Sequence, residues 1–518
     1  MDDLSSMASQ FTLNSLFVRS FRVFSKRRAI TSETSSLTYS ELETRSHRLA
    51  NALYALGVGK GDKVAVLSET RSEYVEAYCA LSSLGAIALT INIRFHPDEV
   101  AYCLRAGAPK AIIVSGALIS SLSAVQDSDE VEFRISFDGP TEGYLNYGTL
   151  IARENPHAPA VEILATDIYN VLYTSGTTGR PKGAMISQGA AAVRAMRLAQ
   201  WFSLTPEDGF IGWLPLFHCG GDESLYATIL TGGAYCTLRK ADAETMFKVI
   251  ERDRLTWTLL LPGVITDFLH HPRRKYFDLS SMRFAIGYAN MMPNVVTELT
   301  ASVNIDFYDA FGQTEASYLV AHGFSGPGEV PSMAKTPSPL MEIRIANDDL
   351  SEAPIGVPGE CLVRGPSVMS GYLDDPVATS EVFSGGWLHT GDILVRNEDG
   401  TLSYVDRKKY LIKTGGENVY PAEVENVIAR MPQVQEVCVF GIADDHWGEV
   451  VSAVVVLRPG ALLGKEEILR WCKDHLGGYK RPREISFMSA NQLPRSTTGK
   501  LQRHLLASIT NKVQNDQN

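Results

Sequence analysis

Between positions 174 and 182 the chain carries a run built for contact with a polar ligand. Thr174, Ser175, Gly176, Thr177, Thr178 and Gly179 are consecutive, and Lys182 follows after Arg180 and Pro181. Hydroxyls and glycine amides offer many small donors, and glycine lets the backbone approach a ligand closely. Placed after a strand, such a loop can wrap a polyphosphate, with the lysine as a point charge against it. The residues just before it, 168–173, form a largely apolar, β-favouring run. The GxxxxGK[ST] pattern of common ATPases is absent, because Lys182 is followed by Gly183. The plain alternative is a Ser/Thr-rich hairpin or linker.

Four further stretches hold chemistry-bearing residues at fixed spacing. They are Tyr308-Asp-Ala-Phe-Gly-Gln-Thr-Glu315, Gly386-Trp-Leu-His-Thr-Gly-Asp392, Asp406-Arg-Lys-Lys-Tyr-Leu-Ile-Lys-Thr-Gly-Gly416 running into Glu417-Asn-Val-Tyr-Pro421, and Leu493-Pro-Arg-Ser-Thr-Thr-Gly-Lys500. Alone, each has a bland reading. Glu315 suits the first turn of a helix capped by Gly-Gln-Thr. Phe311 suits a core, Asp392 a turn, and Lys500 an exposed loop.

The elements that must position these residues are legible as alternating patterns. Helical spacing over 42–57, 74–85 and 97–106 alternates with strand-like runs at 63–67, 86–93 and 111–114. Strands alternating with helices imply a parallel, covered sheet. Residues 127–147 are polar and read as a surface excursion. The alternation resumes with strands expected at 168–173, 210–214, 234–238, 258–261, 284–287 and 305–308, and helices at 190–201 and 243–253. Ligands bind beyond strand ends in such sheets. After about residue 330 short alternating runs with turn signals predict a β-rich lobe, including a hairpin turn at Asp399-Gly400. A mixed segment follows, with a helix at 421–430, strands at 437–441 and 451–457, and a helix at 465–476.

Composition narrows the class. The chain has 518 residues, 45% hydrophobic and 21% charged, with a formal net charge of -11. That balance suits a globular protein with a large core and argues against nonspecific nucleic-acid binding. Seven scattered cysteines without a CxxC pair fit a reducing compartment and no structural zinc. No run is long and apolar enough to span a membrane, and no secretory signal opens the chain. The basic stretch 19–28 reads as a surface helix, with a membrane-touching helix or part of an organelle address as the alternatives.

Taken together and in this order, the five stretches resemble the adenylate-forming superfamily of acyl-CoA synthetases, peptide-synthetase adenylation domains and beetle luciferases. The resemblance covers about residues 15–510 and is strongest to acyl- or aryl-CoA ligases. It implies an α/β fold: a large N-terminal domain of doubly wound sheets with a β-rich lobe (1–405, lobe about 330–405), then a small mobile α+β domain (406–518) hinged near Lys409. It implies activation of a carboxylic acid by ATP and magnesium to an acyl-adenylate, followed by thiol attack from CoA.

The same resemblance assigns roles. Thr174 to Gly179 and Lys182 hold the β and γ phosphates, Glu315 and Thr177 ligate magnesium, and Thr314 donates to the α phosphate. Phe311 stacks on adenine, with Asp309 and Ala310 along the base and the acid. Asp392 accepts from the ribose hydroxyls and Arg407 reaches ribose or phosphate. Lys500 bridges the acid and the α phosphate. Lys413, Gly415 and Gly416 serve the thiol step, with Lys480 near the phosphates of CoA. The chemistry suits these types, because the acid is already an anion and the first step needs alignment and charge neutralisation rather than a base.

Two places depart from the family pattern. The loop lining the acid pocket, often Gly-Gly-Ala-Pro, reads Gly287-Tyr288-Ala289-Asn290. After His218, a pocket-side position, come Asp222 and Glu223 where apolar residues are usual. They either tune the pocket toward an acid bearing a hydroxyl or amine, or cap a helix. The acid is therefore open: fatty, aromatic or functionalised. The expected partners are a small carboxylic acid and CoA, with an acyl carrier protein as the alternative acceptor. Neither nucleic acid nor integral membrane association is expected, and the chain is read as a cytoplasmic monomer or homodimer. A catalytically silent nucleotide-binding protein is the alternative of another class.

Overall fold

The computed structural model describes residues 11–123, 125, 131–152, 154–175, 180–288, 293–332, 334–415, 417–444, 446–495, 501–503 and 505–506. Two compact units emerge: Met1–Glu342 with Val363–Leu388, and Ile343–Leu362 with His389–Asn518.

The first unit contains two sheets. In one, the order is Gly371–Tyr372, Pro181–Ser187, Ile168–Ser175, Ile87–Thr90, Lys63–Leu67, Ala111–Val114, Phe133–Ser136 and Leu145–Asn146. Pairing is parallel from Ile168–Ser175 outward to Leu145–Asn146. The two strands at the opposite edge run antiparallel. In the other sheet the order is Ser36–Thr38, Arg28–Thr31, Ala234–Thr237, Gly209–Gly212, Trp257–Leu260, Phe284–Gly287, Asp306–Gln313, Ser317–Ser325 and Ala334–Pro337. Its middle is parallel, and both ends are antiparallel. Strands covered on both faces need apolar residues throughout. Ala111–Val114, Trp257–Leu260 and Phe284–Gly287 are buried along their whole lengths.

The connecting helices begin where local chemistry starts them. Thr38 caps Tyr39–Ala55 in a capping box with Glu41, and Asp242 caps Ala243–Asp253. The helix Leu13–Val23 turns Leu13, Leu16, Phe17 and Phe21 into the core, with the Phe17 ring 6.0 Å from that of Tyr226. Its apolar face is thus spent on packing, as in the surface-helix reading. Among the described residues no helix is long and apolar enough to cross a membrane.

The strands Glu342–Ala346, Gly359–Arg364, Leu388–Arg396 and Leu402–Arg407, most of whose residues belong to the second unit, are neighbours in that order. Asn397 and Gly400 close the turn between the last two, with Gly400 at φ +83. A second sheet orders Glu417–Val419, Ile412–Thr414, Gly448–Leu457 and Val434–Asp444, and Glu484–Phe487 also pairs with Gly448–Leu457. The helices Pro421–Ile428 and Lys465–His475 bury Val424, Ile428, Ile468 and Cys472 in the same core as Val439, Val451 and Val455.

One expectation is corrected, and two elements that the sequence reading did not assign are added. The polar segment 127–147 contains the sheet strands Phe133–Ser136 and Leu145–Asn146, anchored by buried Ile135 and Phe137. The residues after the small-residue loop form the strand Pro181–Ser187, antiparallel to Ile168–Ser175. The stretch after His218 is a thirteen-residue helix, Cys219–Thr231.

Candidate active site

In the first unit the Pro181–Ser187 hairpin places Lys182 opposite Thr174, whose hydroxyl donates to the Lys182 carbonyl at 3.4 Å. Lys182 Nζ lies over the ring of Tyr372, 5.2 Å from its centroid. The Tyr372 hydroxyl donates to Oε1 of Glu315 at 2.9 Å. One ring therefore links the loop lysine to the motif glutamate. Glu315 lies in a turn between Asp306–Gln313 and Ser317–Ser325, not in the first turn of a helix. Nothing in the sequence pattern pointed to Tyr372, which reaches the pair by strand pairing with Ala184.

The strand before this turn carries Asp309, Ala310 and Phe311, all buried. Asp309 is ion-paired with buried Lys335 of Ala334–Pro337. Lys335 is a partner that sequence reasoning missed, because only strand pairing brings the two together. Asp309 also stands beside Gly287 in parallel register. Tyr288 follows Gly287, and desolvation raises its hydroxyl above the ordinary range. The Thr314 hydroxyl contacts Sγ of Cys219 at 3.6 Å. Desolvation pushes the Cys219 thiol up to about 12, which favours the neutral thiol. His218 is the N-cap of Cys219–Thr231, with its ring 4.7 Å from that of Phe217.

Asp222 and Glu223 serve neither role expected of them. Both are fully enclosed, at 1% and 0% exposure. Oδ2 of Asp222 accepts from Asn170 and from Tyr226, each at 2.9 Å. Glu223 pairs with Arg194 at 3.0 Å. They point into the packing between helices and sheet, so they make no cap and line no open pocket. Burial raises both carboxyls, Asp222 further because Glu223 is beside it.

In the second unit Asp392 and Arg407 are cross-strand neighbours, with Nε 2.8 Å from Oδ1. Asp392 is 3% exposed, so the guanidinium neutralises a buried charge. Lys409 is exposed in the short turn Lys408–Tyr410, over the Tyr410 ring. Lys413 is exposed in the middle of Ile412–Thr414. Gly415 sits at φ +58, and its N–H donates to the Trp447 carbonyl at 2.8 Å. Lys480 donates to both oxygens of Glu423, at 2.7 and 2.8 Å. Gly176, Thr177, Thr178, Gly179, Ala289, Asn290, Gly416 and Lys500 lie outside the described residues, as does the side chain of Ser175.

Among the described residues no group of three or more His, Cys, Asp or Glu forms a metal cage. A magnesium ion that arrives with nucleotide phosphates needs only one or two carboxylates, and Glu315 fits that requirement.

A family model described as "AMP-binding enzyme" matches residues 17–373, and one described as "AMP-binding enzyme C-terminal domain" matches residues 423–500. The chain belongs to the AMP-binding enzyme family. The indoleacetate–CoA ligase of Aromatoleum aromaticum is 34% identical over 472 residues, covering 90% of this chain and 92% of that one. The feruloyl-CoA synthase of an Amycolatopsis species is 31% identical over 491 residues, covering 94% and 97%. The crystal structure of an anthranilate CoA ligase in complex with anthranoyl-AMP superposes with a TM-score of 0.87, at 25% identity and 98% coverage of both chains. This AMP-binding enzyme is an acid–thiol ligase. It joins a carboxylic acid to CoA through an acyl-adenylate, using ATP and Mg2+. The α/β architecture expected from the motifs is the observed one.

Proposed function

We propose that the acid is aromatic and that free CoA, rather than a carrier protein, is the acceptor. The carrying observation is the similarity over at least 90% of the chain to ligases named for indoleacetate and ferulate. Tyr288, which follows Gly287 at the end of the strand Phe284–Gly287, adds a ring at the acid-pocket loop and is consistent with a flat, ring-bearing acid.

The site roles are those that the resemblance to the family implies. Lys182, with Thr174, Ser175, Gly176, Thr177, Thr178 and Gly179, binds the β and γ phosphates. Glu315, with Thr177, takes magnesium, and Thr314 donates to the α phosphate. Phe311 stacks on adenine beside Asp309 and Ala310. Asp392 and Arg407 bind the ribose, and Lys500 neutralises charge during adenylation. His218, Gly287 and Tyr288 shape the acid pocket. Lys413, Gly415, Gly416 and Lys480 act in the thiol step, after a mobile domain beginning at 406 turns about Lys409. The seven free cysteines suit a reducing, cytoplasmic compartment.

The test is a panel of indolic, cinnamic, benzoic, fatty and amino acids with ATP, Mg2+ and CoA, read by mass spectrometry. An aromatic acyl-CoA with AMP is the expected product. A preference for a fatty acid overturns the substrate class. Adenylate that accumulates without thioester overturns CoA as acceptor.

A further inference from the structure

Three consecutive carbonyls, of Thr314, Glu315 and Ala316, are each held by a group from elsewhere in the first unit. Arg194 Nη2 donates to the Thr314 carbonyl at 3.1 Å. The Met369 N–H donates to that of Glu315 at 2.8 Å. Ser367 Oγ donates to that of Ala316 at 2.8 Å. Arg194 is the hub of this arrangement. Its Nε and Nη2 also donate to the Ser367 carbonyl at 2.9 and 2.8 Å, and its Nη1 pairs with Oε1 of Glu223 at 3.0 Å. Oε2 of Glu223 accepts from the Ser317 hydroxyl at 2.5 Å. Ser317 is fully buried at φ +105, a conformation that a residue with a side chain adopts only when its surroundings impose it.

Thr314 and Ser317 are therefore both tied to one ion pair, Arg194 through its fork and Glu223 through its second oxygen. The pair is 1% and 0% exposed. At that depth desolvation offsets most of the attraction, and apolar residues in both places often serve stability equally well. What the pair supplies is fixed geometry at the two ends of the 314–317 turn.

We propose that the Arg194–Glu223 pair is a positioning device that clamps this turn, so that Glu315 meets nucleotide-bound magnesium, and Thr314 the α phosphate, in one orientation. This rests on the role given to Glu315 above. Neither residue touches reacting atoms; both act through the turn.

The test compares Arg194→Met/Glu223→Leu, Arg194→Lys and Glu315→Gln with the unaltered enzyme. Three quantities are read with the acid that the panel selects. They are the Mg2+ concentration giving half-maximal pyrophosphate release, the melting temperature, and thioester formation from CoA and a supplied acyl-adenylate. The double variant is expected to melt below the unaltered enzyme, because the Thr314 and Ser367 carbonyls and the Ser317 hydroxyl lose buried partners, yet to form thioester normally where it folds. Its adenylation should need at least tenfold more Mg2+ and run at least tenfold slower. Arg194→Lys keeps the charge for Glu223 but loses the planar fork, and a severalfold rise in the Mg2+ requirement is expected. It decides the matter if the double variant does not fold. An unchanged Mg2+ requirement in the folded variants, or equal loss of both half-reactions, overturns the clamp. If Glu315→Gln also leaves the requirement unchanged, the role of Glu315 falls first. If Glu315→Gln raises it and the other variants do not, the clamp alone falls.

Discussion

The hydroxyl of Tyr372 donates to Oε1 of Glu315 at 2.9 Å, while the same ring carries Lys182 on its face. Tyr372→Phe removes the hydroxyl and keeps the ring. A hydrogen bond to a charged group contributes about 1.5–3 kcal/mol, which corresponds to roughly ten- to hundredfold in rate. Pyrophosphate release should slow by that order with little change in melting temperature. A Phe variant as fast as the unaltered enzyme would show that the bond does not position Glu315.

Asp392 is buried, and Arg407 neutralises it across the hairpin. Asp392→Asn keeps the shape and weakens every donor bond to that position. Charge-assisted bonds are about twice as strong as neutral ones, so the KM for ATP should rise roughly tenfold or more. The KM for the acid should move far less, and steady-state kinetics with each substrate varied in turn separates the two.

Gly415 is held where a side chain does not fit. Its φ is +58, and a Cβ there would lie 2.7 Å from the Trp447 ring. For other residues that backbone region costs roughly 1–2 kcal/mol. Gly415→Ala should slow thioester formation from a supplied acyl-adenylate severalfold while sparing acid-dependent pyrophosphate release. Stopped-flow measurement of each half-reaction checks this, and equal slowing of both would remove Gly415 from the thiol step.

Asp222 gives a pH signature. Burial first, and the neighbouring Glu223 second, hold its folded pKa well above the ordinary carboxylate value. The stability that its neutral form contributes is therefore complete below that ordinary value and is lost as pH rises through the folded pKa. Asp222→Asn cannot ionise and still accepts from Asn170 and Tyr226. Its melting temperature relative to the unaltered enzyme should climb between pH 5 and pH 9. A difference that stays flat across that range would mean Asp222 is already charged at pH 5.

Most parallel strands and about half of the helices were legible because covered strands must be apolar and amphipathic helices must repeat. The runs at 63–67, 111–114 and 284–287 carry that signature, and each is a strand. Phe133–Ser136 escaped notice because polar neighbours flank two buried side chains. The strand Pro181–Ser187 escaped because glycine and lysine at its start read as loop. The motif residues were visible as types at fixed spacing. Their supporters were not: Tyr372, Lys335 and Arg194 reach the site through long-range strand pairing and helix packing, which leave no local pattern. Asp222 and Glu223 misled for the same reason, since charge in a sequence suggests solvent or ligand, and only the fold supplies the Arg194, Asn170 and Tyr226 that satisfy them.

A bound acyl-adenylate forms before CoA takes part. Exchange of labelled pyrophosphate into ATP in the absence of CoA tests this. The expected exchange requires both Mg2+ and an aromatic acid and proceeds without CoA. Thioester formation with ADP and phosphate as products, and no acid-dependent exchange, would contradict it.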